Sequence, residues 1–261
     1  MTNQPSPNGT EKPPLKPGDY EHTVAEVLLE ACQRFADSPA FTCLGHTLSF
    51  SEVDRLSARF AAYLQEQTSL EPGDRIAIQL PNVLQYPVAL LGAMRAGLVV
   101  VNTNPLYTAR EIKHQLQDSG AKALLVLANI ADQAAEVVPE TQVETVIVTE
   151  LADLHPPLKR ALLNFVIKRV KKMVPKFSFP NQVGLVQALA ESSGEPQAVQ
   201  RTPEDLAVLQ YTGGTTGVAK GAMLTNRNLV ANMRQVNRHM DGVLRENREY
   251  FVAPLPLYHI Y

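Results

Sequence analysis

One short stretch of the sequence concentrates residue types that bind anions. It reads Thr212-Gly-Gly-Thr-Thr-Gly-Val-Ala-Lys-Gly221, so three glycines, three threonines and a lysine fall within residues 212–220. Glycine lets backbone N–H groups approach an anion, threonine hydroxyls donate to phosphate oxygens, and lysine adds a compact positive charge. The spacing is neither that of a Walker A loop nor GxGxxG. It predicts a phosphate-binding loop, since a ligand-free hairpin leaves the threonines and the lysine unexplained.

Regular elements must position this loop. Residues 205–211 read as a strand before it and residues 225–240 as a helix after it. Upstream, strand-like and helix-like segments alternate in the order 75–80, 83–96, 98–101, 109–118, 123–127, 130–137 and 145–148. This alternation predicts βαβ units, and therefore an α/β fold with a mostly parallel sheet flanked by helices. Gly97 and Gly120 follow helices where a left-handed cap is expected.

Two polar turns follow predicted strands directly. They are Pro81-Asn82 and Asn102-Thr-Asn-Pro105. In an open α/β sheet, ligand crevices form at the carboxyl ends of the strands. Each turn is therefore either part of a ligand site or an ordinary strand-to-helix connection, and the sequence leaves both interpretations open.

The region before the alternating segments has its own local signals. Residues 1–20 are rich in proline and predict a disordered leader. Thr23 and Glu26 have the spacing of a capping box, and Ser51 is the expected cap of a second helix. Between these helices, residues 40–44 and 47–50 flank Gly45-His46 and predict a hairpin.

Composition narrows the class of protein. The 261 residues have a formal net charge of −2 and a pI near 6.3, which argues against a global binder of nucleic acid. Two cysteines, Cys32 and Cys43, lie in apolar stretches without metal-ligand spacing, so reduced thiols in a cytoplasmic protein are the preferred interpretation over a disulfide. No uninterrupted apolar run reaches the roughly 20 residues of a membrane span.

Residues 154–177 differ in charge from the rest of the chain. They contain seven basic residues and no acidic one, so the remaining residues have a net charge of −9. Leu158, Leu162, Phe165 and Met173 follow helical spacing, which predicts a basic amphipathic helix. Such a helix either lies on an anionic membrane, at the inner face of the cell membrane, or packs on the protein's own acidic surface. Both alternatives stay open.

The phosphate-binding loop and several other segments resemble one enzyme superfamily. Residues Leu209-Gln-Tyr-Thr-Gly-Gly-Thr-Thr-Gly-Val-Ala-Lys220 resemble the AMP-binding signature of the adenylate-forming enzymes, which include acyl-CoA synthetases, luciferases and peptide-synthetase adenylation domains. Ala219 and Gly213 stand where proline and serine are common, and the pattern allows both. Other segments resemble bacterial long-chain fatty-acid–CoA ligases in particular: Leu80-Pro-Asn82, Val100-Val-Asn-Thr-Asn-Pro-Leu-Tyr107, Arg110-Glu111, Asp118-Ser-Gly-Ala121 and Pro254-Leu-Pro-Leu-Tyr-His259.

The resemblance implies a two-step reaction that uses ATP, Mg²⁺ and coenzyme A. A fatty carboxylate attacks the α-phosphorus of Mg-ATP, which gives an acyl-adenylate and pyrophosphate, and coenzyme A then takes the acyl group. No protein nucleophile is required, and the sequence accordingly has neither a GxSxG nor an HExxH motif. Catalysis of this kind is positioning plus charge neutralisation.

The resemblance also implies roles for particular residues. The threonines and Lys220 would hold the β- and γ-phosphates while the glycines let the loop wrap them. Tyr258 and His259 would lie beside the fatty-acid carboxylate and the adenylate. Lys220 and His259 are thus the expected catalytic residues, and no residue is predicted to bind metal. The expected nucleotide-binding set is Tyr211, Thr212, Gly213, Gly214, Thr215, Thr216, Gly217 and Lys220.

The family's later elements do not occur within these residues. They are an aromatic-Gly-x-Thr-Glu segment, a ribose-binding aspartate, a hinge, and a C-terminal lid with a lysine. We therefore expect an N-terminal portion that is inactive alone, with a first subdomain over 21–200 and the start of a second over 201–261. Residues 250–252 read as a buried strand, and its uncovered edge predicts a homodimer.

Two other functions fit part of the sequence. One is a non-catalytic scaffold that contacts a membrane or a protein partner through the basic segment. The other is an enzyme that adenylates an amino acid or an aryl acid. The segment Asn104-Pro-Leu-Tyr107 and the basic segment favour the long-chain ligase over this second enzyme.

Overall fold

The protein alternates strands and helices along most of its length. The structure is a computed structural model that describes residues 16–212, 219–245 and 248–259. The helices are α1 (Val24–Arg34), α2 (Phe50–Gln67), α3 (Gln85–Arg95), α4 (Ala109–Ser119), α5 (Ala131–Val137), α6 (Pro157–Phe165), α7 (Leu185–Glu191) and α8 (Asn226–Met240). The strands are β1 (Pro39–Cys43), β2 (His46–Ser49), β3 (Arg75–Gln79), β4 (Val99–Asn102), β5 (Ala123–Leu127), β6 (Thr145–Thr149), β7 (Gln182–Gly184), β8 (Leu206–Thr212) and β9 (Lys220–Thr225).

Seven strands form one sheet in the order β7-β6-β5-β3-β4-β8-β9. Every pair from β7 to β8 is parallel, and only β9 runs antiparallel to its neighbour β8. This arrangement confirms the predicted α/β fold with a mostly parallel sheet. Because the chain direction is shared, the carboxyl ends of β3, β4 and β8 meet at one edge of the sheet.

Side chains of the central strands alternate between two hydrophobic clusters. Ile76 and Ile78 of β3 pack with buried residues of α2, α3 and α7 on one face. Ala77, which lies between them, packs with α4 and α5 on the other face. Both faces are therefore covered, which is why the middle residues of these strands are all apolar instead of alternating between apolar and polar.

Capping boxes mark the starts of α1, α2, α4 and α8. Thr23 and Glu26 form the predicted box at the start of α1. The expectation that Ser51 caps α2 is wrong, because Ser49 is the capping residue and exchanges hydrogen bonds with Glu52. The Ser-x-x-Glu spacing at 49–52 satisfies two backbone N–H groups at once, and Ser51 then falls inside the first turn.

The hairpin of β1 and β2 is confirmed, with antiparallel pairing that includes Cys43 opposite His46. Cys32 is buried and Cys43 is half-buried, and both are free thiols. Burial raises the pKa of each thiol, so neither is an activated nucleophile.

The C-terminal part of the chain departs from expectation in two ways. We did not predict β9, which pairs with β8 and places residues from 206 onward in the same sheet as β3 and β4. The predicted strand at 250–252 is wrong, since Tyr250, Phe251 and Val252 are exposed and have no strand assignment. Pro254 and Pro256 follow at once and lack the N–H groups that a strand ladder needs. The division into two subdomains stays a prediction.

Two other predicted segments differ in part from the observed structure. Of the expected leader, residues 1–15 lie outside the described residues, and Pro17–Tyr20 forms a short 3-10 helix. The helix predicted within 154–177 is α6, continued by a π-helical turn at Val166–Val170. No helix in the described ranges is long and apolar enough to cross a membrane.

Gly97 gives a test of the turn between α3 and β4. Its φ is +77°, and an added Cβ would lie 2.7 Å from Val199 Cγ1. We expect Gly97→Ala to lower the free energy of unfolding by about 1–3 kcal/mol, through backbone strain and this clash. Urea denaturation measures the loss. Gly184→Ala is the matched control, since Gly184 has nothing within 4 Å of an added Cβ. Equal stability of the two variants would show that the turn does not require glycine at position 97.

Candidate functional site

The predicted phosphate-binding loop connects β8 to β9. Thr212 is the last residue of β8 and Lys220 the first of β9, and the two are direct partners across the antiparallel pair. The side chain of Lys220 is exposed. Gly213, Gly214, Thr215, Thr216 and Gly217 were predicted to bind the nucleotide, and they lie outside the described residues. The structure therefore brings the two ends of the loop together, with Lys220 beside Thr212.

Tyr211 anchors the strand that enters the loop. It is 3% exposed, and its hydroxyl donates to Asp118 Oδ2 at 2.6 Å. Its partner across the strands is Gly221, where an added Cβ would lie 3.0 Å from the Tyr211 ring. Glycine at 221 thus lets the ring lie flat across β9. Burial first, and then Asp118, raise the pKa of Tyr211 well above its usual value, so the phenol stays protonated and donates.

Helix α4 contacts both ends of the loop. Asp118 accepts the hydrogen bond from Tyr211, which precedes the loop. His114, one helical turn earlier, places Nε2 3.1 Å from the carbonyl oxygen of Ala219, which follows it. A carbonyl only accepts, so Nε2 is the donor. The helix is itself fixed by a capping box at Thr108 and a left-handed cap at Gly120. A regular element therefore fixes the separation of the loop's two ends.

A buried amide network lies beneath the entry to the loop. Asn102 at the end of β4 donates through Nδ2 to Gln210 Oε1 at 3.0 Å and accepts from Tyr86 Oη at 2.8 Å. Gln115 of α4 donates to the Asn102 carbonyl at 2.9 Å. Gln210 is two residues before Thr212, so these bonds fix the register of β8 against β4 directly below the loop. Among the described residues, Gln115 Oε1 and Gln79 Oε1 are buried without a partner.

The second predicted group, Tyr258 and His259, lies near the same edge of the sheet. Tyr258 is buried in the hydrophobic cluster on the α2–α3 face, and His259 is exposed with its ring centroid 5.0 Å from that of Tyr258. Burial, then Glu111 and Tyr258, raise the pKa of Tyr107. Tyr107 in turn contributes to the raised pKa of Tyr211. Tyr107 is therefore coupled electrostatically both to the loop anchor Tyr211 and to Tyr258.

Sequence reasoning missed the residues that hold these groups. It noted Asn82 as part of a polar turn after a strand and Asp118 only through a resemblance, and it gave no role to His114. The signal for Asn82 and Asn102 was position, since they lie at or just beyond the carboxyl ends of strands that share one edge of the sheet. Contacts between segments more than 90 residues apart were beyond any local pattern.

Comparison with known proteins identifies the family. A family model described as "AMP-binding enzyme" matches residues 28–261. The chain belongs to the AMP-binding enzyme family. The AMP-binding signature, residues 209–220, falls on the β8–β9 hairpin, with Leu209 in β8 and Lys220 at the start of β9.

Several curated relatives of the chain are bacterial ligases. It is 47% identical to a long-chain-fatty-acid–CoA ligase of Escherichia coli O157:H7 over 95% of its own length and 44% of that protein. The corresponding Salmonella typhimurium ligase is 46% identical with the same coverage. The chain thus spans less than half the length of these relatives. The crystal structure of a long-chain-fatty-acid–CoA ligase from Archaeoglobus fulgidus has the same fold, with a TM-score of 0.68 at 23% identity, and the match covers 91% of this chain and 43% of that one.

Tyr211 gives a pH-dependent test of the loop anchor. Its folded-state pKa lies above the unfolded value of about 10, so the folded state keeps a proton that the unfolded state loses. The stabilisation that this tyrosine contributes is fully present below about pH 10 and is lost as the pH rises through the folded-state pKa. We expect Tyr211→Phe to lower the free energy of unfolding by about 1–2 kcal/mol at pH 7. Above pH 10 the free energy of unfolding of the variant should fall less steeply than that of the wild type, by up to about 1.4 kcal/mol per pH unit.

Urea denaturation between pH 7 and 11 measures both effects. The exposed Tyr250 provides the matched control variant, Tyr250→Phe. If Tyr211→Phe follows the wild-type curve at every pH, the hydrogen bond to Asp118 does not anchor the loop.

Proposed function

We propose that the chain is the N-terminal part of an ATP-dependent long-chain fatty acid–CoA ligase. The observation that supports this most is 46–47% identity, over 95% of the chain, to bacterial proteins of that name. The fold and the position of the AMP-binding signature agree with it. The relatives are more than twice as long, so we also propose that the 261 residues alone do not complete the reaction.

The proposed reaction has two steps. A carboxylate oxygen of the fatty acid forms a bond to the α-phosphorus of ATP, and the bond from that phosphorus to the bridging oxygen of pyrophosphate breaks. The coenzyme A sulfur then forms a bond to the acyl carbon, and the acyl–phosphate bond breaks to release AMP. The proton of the thiol passes to solvent or to a base.

The loop and its two flanks would act on the first step. Negative charge develops on the departing pyrophosphate, and Lys220 would stabilise it from the start of β9. Thr212, Thr215 and Thr216 would donate hydroxyl hydrogen bonds to the same phosphates. Such groups accelerate a reaction only if they are held in place beforehand. The contacts of α4 with Tyr211 and Ala219 supply that constraint.

Tyr258 and His259 would act at the other reactant. Tyr258 is buried and contacts the His259 ring, which is itself exposed and can meet a carboxylate or an adenylate. We propose that His259 holds the fatty-acid carboxylate as it approaches the α-phosphorus. Coenzyme A would enter as the second substrate.

The described residues do not form a Mg²⁺ site. No group of three His, Cys, Asp or Glu side chains among them is placed to hold a metal ion. We therefore assign none of them to Mg²⁺, which would arrive bound to ATP.

Replacing Lys220 tests the proposed function. We expect Lys220→Ala in the complete enzyme to slow fatty-acid-dependent ATP–pyrophosphate exchange by about 10²-fold, since one preorganised charge is lost from the leaving group. The control is Lys113→Ala, which removes a surface lysine paired with Glu140 and should leave exchange within about twofold of wild type. Wild-type exchange in Lys220→Ala would remove Lys220 from the mechanism. Exchange with benzoate or an amino acid, but not with a long-chain acid, would favour the other adenylating enzymes.

We also propose that the basic segment at 154–177 contacts an anionic membrane. None of the residues of α6 is buried. Leu158, Leu162 and Phe165 are 90%, 63% and 59% exposed, and they lie on one face of the helix. Five basic side chains of the same segment form no ion pair within the described ranges: Arg160, Arg169, Lys171, Lys172 and Lys176. An exposed apolar face within a segment rich in unpaired cations matches an anionic lipid surface, such as the inner face of the cell membrane.

Vesicle co-sedimentation tests this contact. We expect Lys171→Glu with Lys176→Glu to weaken binding to vesicles containing phosphatidylglycerol by roughly thirtyfold, from about 1 kcal/mol per basic residue. Binding to neutral phosphatidylcholine vesicles should be weak for both proteins. Arg55→Glu with Lys113→Glu makes the same change in net charge elsewhere and should bind like wild type. Equal binding by both double variants would leave α6 with a packing role only.

We further propose that copies of the chain associate as a homodimer. Support comes from the exposed side chains of Tyr250, Phe251 and Val252, which form an apolar run on the surface. Exposed runs of this kind favour association.

A further inference from the structure

Asn82 is a residue to which the proposed reaction gives no part. It follows β3 at the carboxyl edge of the sheet, two residues after Leu80. Its side chain makes three hydrogen bonds to the backbone of a segment more than 170 residues further along the chain. Nδ2 donates to the carbonyl oxygens of Ala253 at 2.9 Å and Leu255 at 2.8 Å. Oδ1 accepts from the N–H of Leu257 at 2.7 Å.

These bonds replace a strand partner. In an extended chain, the backbone groups of alternate residues face the same side, and Asn82 binds residues 253, 255 and 257. The two residues between them, Pro254 and Pro256, have no N–H group, so a regular ladder cannot form there. One primary amide has a donor group with two hydrogens and an acceptor, and Asn82 uses all of these.

Asn82 is itself held firmly. Its own position is restricted by Pro81, whose carbonyl accepts from Val83 N at 2.8 Å. The turn leads into α3, where the buried Gln85 donates to the carbonyl oxygen of Glu150 at 2.8 Å. The residue therefore connects a rigid sheet edge to a segment with no regular structure.

The held segment ends at the second reactant group. Leu257 is followed directly by Tyr258 and His259, and the N–H of His259 donates to the Pro256 carbonyl at 3.0 Å. The backbone from 253 to 259 is thus fixed by the three bonds of Asn82 and by one local turn. Asn82 thus ties this segment to the strand edge where the loop also lies.

We propose that Asn82 is a positioning residue that sets the place of Tyr258 and His259 against the phosphate-binding loop. The inference that these two residues meet the fatty-acid carboxylate rests on the proposed function. The inference that Asn82 fixes their backbone does not. Aspartate cannot substitute, because it has the same shape but turns an oxygen toward the carbonyls of Ala253 and Leu255.

Hydrogen exchange of the Leu257 amide tests the positioning in the 261-residue chain, without any activity measurement. We expect this amide to exchange at least about tenfold faster in Asn82→Ala, which removes its acceptor Oδ1, the equivalent of about 1.4 kcal/mol of lost protection. Asn129→Ala is the matched control, since it removes a single amide bond to the Met173 carbonyl and should leave Leu257 unchanged. Unfolding monitored by circular dichroism shows whether each variant remains folded.

Kinetics of the complete enzyme test the consequence. We expect Asn82→Asp to lower kcat/KM for the fatty acid about tenfold or more, while KM for ATP changes less than about twofold, because α4 holds the phosphate loop independently. Wild-type Leu257 exchange in Asn82→Ala would overturn the proposal, and so would an unchanged kcat/KM in Asn82→Asp. If the wild-type enzyme activates no fatty acid, the proposed function fails, and the exchange result still decides the role of Asn82.

Discussion

The pairing of β8 with β4 is the contact on which the site depends. It joins Val100 to Val208 and Asn102 to Gln210, residues more than 100 positions apart. Val208 and its neighbour Ala207 are both buried, and both faces of the sheet are covered, so burial alone does not fix the register. The hydrogen bond between the Asn102 and Gln210 side chains does fix it, because a slip of one residue would separate the two amides. Correct register then delivers Thr212 and the loop to the carboxyl edge of the sheet.

At that edge, segments without regular structure are held by side chains that lie in regular elements or just beyond them. Asp118 and His114 of α4 hold the two ends of the loop, and Asn82 beyond β3 holds the segment before Tyr258. Each net hydrogen bond contributes about 1 kcal/mol, so each contact is weak alone. Their value is geometric, because a group that acts on developing charge must already be in position. Both reactant groups are thus fixed to one sheet, although Tyr258 and His259 belong to no strand or helix.

The basic segment at 154–177, unlike the sheet, has little of its surface buried. Helix α6 buries none of its residues and is held by polar contacts such as Lys159 with the Leu44 carbonyl and Lys168 with Glu150. Exposed ion pairs contribute at most about 1 kcal/mol each, whereas the exposed Leu158 and Phe165 favour any surface that covers them. The same chain therefore combines a core that is buried on both sheet faces with one helix whose apolar face is open.

Several local features of this protein can be predicted from the sequence alone. The alternation of strands and helices, the Thr23–Glu26 box and the caps at Gly97 and Gly120 each depend on a few neighbouring residues, and each was predicted correctly. So was the family, because the signature is one continuous segment. The Ser49–Glu52 box was equally local and could have been preferred over Ser51 by its spacing.

Only the tertiary structure decided which distant residues meet. The insertion of β8 beside β4, the presence of β9 and the contacts of Asp118, His114 and Asn82 all join segments separated by long loops or by many residues along the chain. It also placed Tyr250, Phe251 and Val252 on the surface although their side chains are apolar. Such contacts are selected by the burial and hydrogen bonding of the whole sheet. A local pattern records which residues could pair, and the summed energy of the fold decides which of them do.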